Sequence, residues 1–328
     1  MTKTAGPSVA LVEPTTLLGR DVKAVLKERG FPAAKVLLFH QTPQPGGILT
    51  ADDDEVAFVA PLTPDALETC GIAFLCGSAA DTERFLATRT DSCLAIDLSG
   101  ARRTGPLAVP SEVGAPRALP SGNVLVAPHP VAFVLAEAIA VVDALAPVAE
   151  ATAAIDRPAS ELGKAALDEL FEQAVALAAF RPVPKKHLGT QGAFNAWVPA
   201  DTELFERRVA EDAAALLGRP LPLGLLSARA GVFHGHLLRL ELRLAAEAPT
   251  SAALLVAFRE RKDAFEVVDP ENLSGPVESA ARDETLVLSA RSEGRRVRLV
   301  LAADHLRRGG AILAVRLAEQ ALKERALA

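Results

Sequence analysis

The sequence predicts an α/β protein with a doubly wound parallel sheet of the Rossmann type and a second, α+β domain with a mixed or antiparallel sheet. Two features carry this prediction. In the first third of the 328 residues, short and continuously apolar runs alternate with helical stretches, which is typical of parallel strands covered on both faces. In the remainder, long helices alternate with strands of alternating apolar and polar residues, which is typical of a sheet with one polar face.

The predicted parallel strands follow one another between helices. They cover residues 9–12, 35–39, 72–75, 94–98 and 124–127. The first helix, over residues 19–29, has apolar side chains at helical spacing and stops at Gly30 and Pro32. Residues 101–122 are rich in Pro, Gly and Arg, and they predict an irregular connection before the last of these strands.

The second part of the chain has longer elements. Its predicted helices and strands cover residues 131–146, 163–179, 202–217, 237–244, 285–290 and 296–302. Ser292, Glu293 and Gly294 separate the last two strands and predict a hairpin turn. From Gly310 onwards, apolar residues at helical spacing predict a C-terminal helix.

The composition argues against several functional classes. A net charge of −6 with scattered Lys and Arg does not favour a nucleic-acid surface. The apolar stretch 131–149 contains Glu137 and Asp143, which are costly at a bilayer centre, so it predicts a buried helix and no membrane span. The short apolar run near the N-terminus predicts a strand, not a signal peptide. An odd number of cysteines without metal-site spacing fits a reducing cytoplasm: Cys70, Cys76 and Cys93.

Five blocks, in order along the chain, resemble the aspartate-semialdehyde dehydrogenases. They cover residues 95–103, 160–170, 193–199, 229–236 and 304–311. In the second block, SELGKAALDEL is similar to the family pattern Ser-Gly-Ala-Gly-Lys-Ala-Ala-x-x-Glu-Leu, and in the last, DHLRRGGA is similar to Asp-Asn-Leu-Arg-Lys-Gly-Ala-Ala. In that family the last helix packs on the nucleotide domain. The resemblance therefore implies a Rossmann domain over residues 1–130 and 306–328, and an α+β dimerisation or substrate domain over 131–305.

The catalytic cysteine of that family has no counterpart here. The family segment is Asn-Pro-Asn-Cys-Ser-Thr, and matching its proline to Pro128 places Pro130 at the position of the cysteine. Proline has no nucleophilic side chain and no backbone N–H, so the covalent thioester step cannot take place at this position. Cys76, at the end of a predicted strand, is a candidate substitute, although free cysteines are more often buried in a core.

The family's nucleotide-binding turn is also altered. Its pattern Gly-Ala-Thr-Gly-x-Val-Gly is replaced by EPTTLLG, in which only Thr15 and Gly19 match. Glu13 places a carboxylate where a pyrophosphate would approach, a like-charge contact that costs about 1–4 kcal/mol, and the β-carbons of Glu13 and Thr16 block geometries open to glycine. Residues 40–47 contain no Arg or Lys for an NADP 2′-phosphate. We expect no cofactor, with NADP or NAD as the only candidates.

Other positions retain the family's residues. By resemblance, His236 corresponds to the general base, Arg229 to the arginine that binds the substrate carboxylate, and Arg103 to the phosphate-binding arginine. The family's glutamine is replaced near Arg157. Two approximate matches to a family lysine and glutamate lie in the helix 202–217: Arg207 and Glu211.

Three interpretations of the retained residues stay open. His236 and Arg229 could hold a loop through hydrogen bonds. They could also form, with Arg103, an anion pocket for a small carboxylate or phosphate. His234 and His236 share one face of a strand and could bind a metal ion, but no third ligand is evident, so we expect no metal.

The sequence therefore favours a catalytically inactive homologue, similar to the Usg-type proteins that share the fold and lack the nucleophile, which acts by binding a partner or ligand. One alternative is a working NAD(P)-dependent semialdehyde dehydrogenase of amino-acid biosynthesis with an atypical site. Another is a regulatory subunit in a hetero-oligomer with an active paralogue. The family dimerises through its central sheet, so the resemblance implies a homodimer.

Overall fold

The structure, a computed structural model, describes residues 6–41, 48–52, 55–88, 93–100, 107–110, 113 and 118–326. The chain forms two compact units. The first comprises the described parts of Met1–Ser111, Pro116–Pro128 and Gly310–Ala328, and the second comprises those of Glu112–Ala115 and His129–Gly309.

The first unit contains the predicted Rossmann-type sheet. Its seven strands are β1 (Ser8–Val12), β2 (Lys35–His40), β3 (Ile48–Asp52), β4 (Glu55–Pro61), β5 (Ile72–Leu75), β6 (Leu94–Asp97) and β7 (Val124–Val126). Their order is β3-β4-β2-β1-β5-β6-β7. All neighbouring strands are parallel except the β3–β4 pair, which is antiparallel. The parallel sheet is therefore confirmed, while the hairpin β3–β4 extends it beyond the prediction.

Short helices connect these strands and cover the sheet. They are α1 (Leu17–Glu28), α2 (Pro64–Glu68) and α3 (Ala79–Thr88). In α1 the side chain of Thr16 accepts a hydrogen bond from the backbone N–H of Gly19, at 3.0 Å, and so caps the first turn. The inner face of α1 buries Val22 and Val25.

The second unit contains a mixed seven-stranded sheet, as predicted. Its strands are β8 (Val148–Arg157), β9 (Ala196–Trp197), β10 (Leu223–Ala230), β11 (His236–Leu244), β12 (Phe265–Val267), β13 (Thr285–Glu293) and β14 (Arg296–Ala303). The order is β12-β13-β14-β11-β8-β10-β9. The pairs β8–β10 and β12–β13 are parallel and the others are antiparallel. The hairpin between β13 and β14 turns at Gly294, with φ of 55°, within the predicted turn, although Ser292 and Glu293 still belong to β13.

The α-helices of this unit follow or connect the strands of that sheet along the chain. They are α4 (Pro130–Asp143), α5 (Lys164–Ala178), α6 (Thr202–Leu217), α7 (Ser251–Glu260) and α8 (Pro276–Ser279). On β11, Leu238, Leu240 and Leu242 are buried while Arg239 and Arg243 are exposed, so the alternation in the sequence does separate a core face from a charged face.

The apolar helix α4 is a core helix, as predicted. Its one buried carboxylate, Glu137, forms a two-point ion pair with Arg308, whose Nε lies 3.0 Å from Glu137 Oε2. Both side chains are fully buried. No helix in the described part of the chain is long and apolar enough to cross a membrane. After a π-helical turn over Arg307–Ile312, the helix α9 (Leu313–Ala326) ends the chain's described part.

Candidate functional site

The central feature of the second unit is a largely buried carboxylate, that of Glu161, which receives three cationic or polar donors. Glu161 Oε2 accepts from Arg157 Nε at 2.7 Å and from Arg229 Nη1 at 3.2 Å. Its other oxygen, Oε1, lies 2.7 Å from His236 Nε2. Both arginines and the histidine are almost fully buried. The two family-matched residues Arg229 and His236 are therefore brought together, and an internal glutamate joins them.

The sheet topology explains why these side chains converge. Arg157 is the last residue of β8 and pairs in register with Arg229 on the parallel strand β10. His236 is the first residue of the antiparallel strand β11, which begins beside the end of β8. A 3₁₀ turn over Ala159–Leu162 follows β8 at once and carries Glu161 back over the strand ends.

Backbone hydrogen bonds fix that turn. The N–H groups of Ala159 and Ser160 donate to the carbonyls of Val232 and Phe233, at 2.9 and 3.0 Å. The turn ends at Gly163, whose φ of 84° favours glycine. The position of the Glu161 carboxylate is thus set by the sheet end and not by a free loop.

A second carboxylate balances the two guanidinium groups. Asp201, just before α6, accepts from Arg157 Nη2 at 3.0 Å, and Arg229 Nη2 lies 3.6 Å from the same carboxylate. The Arg157 guanidinium also lies 3.8 Å from the ring centroid of Phe205, a favourable cation–π geometry. Two cations and two carboxylates therefore form one compact network.

The surroundings shift the proton affinities of this network. Burial alone would raise the pKa of Glu161, but the hydrogen bond and charge of His236, together with Arg157, hold that pKa well below its usual range. Burial lowers the pKa of Arg229, and Glu161 partly opposes this. Glu161 is therefore an anion at neutral pH and cannot serve as a proton donor there.

A second histidine, His305, packs edge-to-face against His236. The ring of His305 lies 5.0 Å from that of His236, at an interplanar angle of 80°. Burial, and then the neighbouring His236, lowers the pKa of His305 to about 4. Within the described part of the chain, no protein group hydrogen-bonds to either ring nitrogen of His305 or to Nδ1 of His236.

Pro130 stands at the first position of α4, where proline is favoured because its missing N–H needs no partner. His129 caps the helix through its Nδ1, which accepts from the N–H of Val131 at 3.2 Å. Asp212 in turn accepts from the backbone N–H of His129 at 2.7 Å. Burial lowers the pKa of His129 to about 3, so its ring is neutral and acts as a structural cap.

Backbone packing also surrounds Pro130. A β-carbon at Gly309 would lie 2.5 Å from the Cα of Pro130, so the close approach of the two segments requires glycine there. Position 130 is thus built into a helix start that proline suits.

In the first unit, Glu13 occupies the turn after β1. Its backbone φ is 61°, so it adopts the left-handed conformation that we expected its β-carbon to prevent, at a cost of about 1–2 kcal/mol. The side chain has partners that offset this cost. Oε1 accepts from the backbone N–H of Gln41 at 2.9 Å, and Oε2 lies 2.7 Å from Nδ1 of the buried His40.

These contacts place the Glu13 carboxylate over the ends of three adjacent strands. Glu13 itself follows β1, its partners His40 and Gln41 lie at the end of β2, and its Cγ lies 3.0 Å from where a β-carbon of Gly77, after β5, would be. The carboxyl ends of neighbouring strands are where doubly wound sheets bind ligands. Glu13 therefore fills part of that crevice.

The other residues of the turn are structural in this arrangement. Thr16 caps α1 and Thr15 Oγ1 lies 3.5 Å from His40 Nε2. A β-carbon at Gly19 would lie 2.4 Å from the carbonyl oxygen of Glu13, so this glycine permits the close packing of α1 on the turn. Of the segment 40–47, only His40 and Gln41 lie within the described residues.

Two of the remaining predicted site residues lie on the surface of α6. Arg207 and Glu211 are exposed there, whereas Phe205 of the same helix is buried and contacts Arg157 of the network. Arg103 lies outside the described residues. Among those residues, no group of three or more His, Cys, Asp or Glu side chains is arranged to hold a metal ion, and Nε2 of His236 is engaged by Glu161.

The three cysteines are buried in the first unit. Burial, and then the negative charge of Glu13, raises the pKa of Cys76, and burial raises the pKa of Cys70. The thiols of Cys70 and Cys76 are therefore protonated at neutral pH, and a protonated thiol is the unreactive form.

Two site residues were missed from the sequence although a signal was present. Glu161 stands where the family pattern in its block has glycine, and His305 stands where the last block has asparagine. Each replacement adds an ionisable group beside His236. Asp201, which lies between blocks, carried no such signal.

No protein-family model matches the chain. The sequence is 29% identical to a USG-1 protein homolog of Pseudomonas aeruginosa, over 96% of this chain and 98% of that protein, and 24% identical to an aspartate-semialdehyde dehydrogenase of Rickettsia conorii, over 95% and 97%. The solved structure of a probable aspartate-semialdehyde dehydrogenase from Pseudomonas aeruginosa matches with a TM-score of 0.85 at 28% identity, covering 97% of this chain and 99% of that one. The resemblance and the fold class inferred from the sequence are confirmed.

Proposed function

Because this chain is a homologue of aspartate-semialdehyde dehydrogenases and of USG-1 proteins, we propose that it is a catalytically inactive member of that group which acts by binding, as a partner or regulatory protein. The observation that carries the proposal is the pairing of His236 and Arg229 with Glu161. His236, the residue that would act as a base, is hydrogen-bonded to the internal carboxylate of Glu161. Arg229, the residue that would bind a substrate carboxylate, is already paired with the same internal carboxylate.

The distribution of cysteines supports this proposal. A thioester intermediate requires a thiolate nucleophile. Residues 129–309, which contain His236 and Arg229, include no cysteine. The helix start that would present a nucleophile carries Pro130, and the raised pKa values of Cys70 and Cys76 disfavour a thiolate elsewhere.

We extend the proposal to the cofactor: the first unit binds neither NADP nor NAD at physiological concentrations. The carboxylate of Glu13 accepts a hydrogen bond from the backbone N–H of Gln41 and pairs with His40. These two donors are therefore already engaged and are not available to an anionic ligand. A pyrophosphate would meet this charge in a partly buried crevice.

The experiment is a turnover assay with aspartate semialdehyde and NADP or NAD, alongside calorimetric titration with each dinucleotide to millimolar concentration. We expect neither turnover nor saturable heat. Glu13→Gly is the matched variant, because glycine keeps the left-handed turn and removes the charge; we expect it to bind NADP measurably. Micromolar binding by the unaltered protein would overturn the cofactor proposal. Turnover by the unaltered protein would overturn catalytic inactivity and support the atypical dehydrogenase instead, and its survival in Cys76→Ala would show that Cys76 is not the nucleophile.

For partners, we propose a homodimer through the charged face of the second sheet. Arg298 Nε donates to Glu241 at 2.8 Å, and Arg243 pairs with Glu150 at 2.6 Å, so this face offers both charge signs to a second copy. Light scattering after size-exclusion chromatography would give the mass in solution. Co-expression with a tagged active aspartate-semialdehyde dehydrogenase would separate a homodimer from a hetero-oligomeric regulatory subunit.

A further inference from the structure

The contacts of Glu161 have the form of a ligand site and not of a surface ion pair. Two guanidinium groups and one imidazole converge on a single carboxylate, with donor–acceptor distances of 2.7, 3.2 and 2.7 Å. Each guanidinium donates one hydrogen bond to Oε2 and the imidazole contacts Oε1, and charge-assisted hydrogen bonds of this kind are how proteins bind carboxylate ligands. All three donors come from the ends of sheet strands and are therefore rigid.

The carboxylate itself has a different origin. Glu161 lies on a short 3₁₀ turn outside the sheet, and its neighbour Leu162 is 43% exposed. The carboxylate of Glu161 thus reaches in from a peripheral turn, whereas the donors that it contacts are fixed at the ends of sheet strands. Without it, Arg157 and Arg229 would share only the half-exposed Asp201, and two buried like charges would be poorly compensated.

We propose that Arg157, Arg229 and His236 form a binding site for small monocarboxylates that Glu161 of the same chain occupies as a built-in ligand. Glu161 is an autoinhibitory side chain in this sense: it keeps the site closed to free carboxylates. The inference deepens the proposed function, because an occupied site cannot take a substrate carboxylate, but it has its own readout.

The test is chemical rescue. Glu161→Ala removes the terminal –CH₂–COO⁻ of the side chain, which acetate matches in size and charge. We expect sodium acetate at about 50 mM to raise the thermal midpoint of this variant by roughly 5 °C and in a saturable way, as for a ligand with a millimolar dissociation constant. Sodium chloride at equal ionic strength and neutral acetamide should have no such effect.

Two controls separate binding from general effects. The unaltered protein should not respond to acetate, because its site is filled. Glu161→Gln fills the same space without charge and should not respond either. Adding Arg229→Met to Glu161→Ala should abolish the rescue. If Glu161→Ala does not remain folded, its refolding yield from urea is measured in acetate and in acetamide. We then expect a higher yield in acetate.

An acetate effect that is absent from Glu161→Ala, or equal in the unaltered protein and Glu161→Gln, would overturn the inference. Rescue without turnover would support both this inference and the proposed function. Turnover by the unaltered protein together with rescue would reject catalytic inactivity alone.

Discussion

The protonation of His305 predicts a specific loss of stability in mild acid. Its pKa is lowered from 6.5 to about 4 in the folded protein, by burial and by the adjacent His236, against the opposing effect of Glu161 and Asp304. The unfolded chain therefore binds a proton first as the pH falls. The stabilisation is complete above pH 6.5 and is lost between pH 6.5 and about 4, because unfolding takes up the proton. At pH 5 the loss amounts to about 2 kcal/mol, at 1.36 kcal/mol per pH unit.

His305→Asn isolates this contribution, because asparagine is polar, of similar reach and does not titrate. The assay is urea unfolding at pH 8 and pH 5, followed by the fluorescence of Trp197, the single tryptophan of the chain, which lies in the same unit. We expect the unaltered protein to lose about 2 kcal/mol more than the variant between the two pH values. Effects of the substitution on packing appear at both pH values and cancel in this difference. Equal losses in the two proteins would refute the argument that His305 is buried in its neutral form.

Two further predictions concern stability. Arg308→Met leaves the carboxylate of Glu137 buried without its cation and should lower the free energy of unfolding by about 3–5 kcal/mol, whereas adding Glu137→Leu should recover most of it. Urea titration of the unaltered protein and the two variants would show this, and a double variant as unstable as the single one would contradict it. Thr16→Ala removes the cap on the N–H of Gly19 and should cost about 1 kcal/mol, while Thr16→Ser should be nearly neutral; equal losses in both variants would mean that the hydroxyl does not act as the cap.

The sequence was sufficient for the fold where its hydrophobic pattern was strong. The buried strands β1, β5 and β6 and the helix α4 are continuous apolar runs, and they were predicted. The hairpin β3–β4 was missed because the run Asp52-Asp53-Asp54-Glu55 interrupts the apolar pattern and because β3 is an edge strand with one neighbour. An edge strand needs fewer apolar residues, so its sequence carries a weaker signal.

The site was only half predictable for a different reason. Arg229 and His236 were found by resemblance, because their own block carries them. The role of Glu161 depends on partners that lie 4, 68 and 75 positions away in the sequence. Only the pairing of β8 with β10 and β11 brings these partners close to Glu161. The sequence shows locally only that glutamate replaces the family's glycine, and it does not show which donors this carboxylate meets.

Glu13 and Glu161 act in the same way in two separate units, because each supplies an internal carboxylate to nearby donors. Each is a glutamate at a position where the family pattern has glycine, and each directs its carboxylate to donors that would otherwise face a ligand: the N–H of Gln41 and His40 in one unit, and Arg157, Arg229 and His236 in the other. The stabilisation by an external anion depends on its concentration relative to its dissociation constant, whereas an internal one is always present. We therefore expect a chain with both glutamates to hold its fold without ligands. Restoring glycine at both positions should make stability depend on added NADP and acetate, and a double variant whose unfolding midpoint responds to neither would show that the two glutamates do not substitute for ligands.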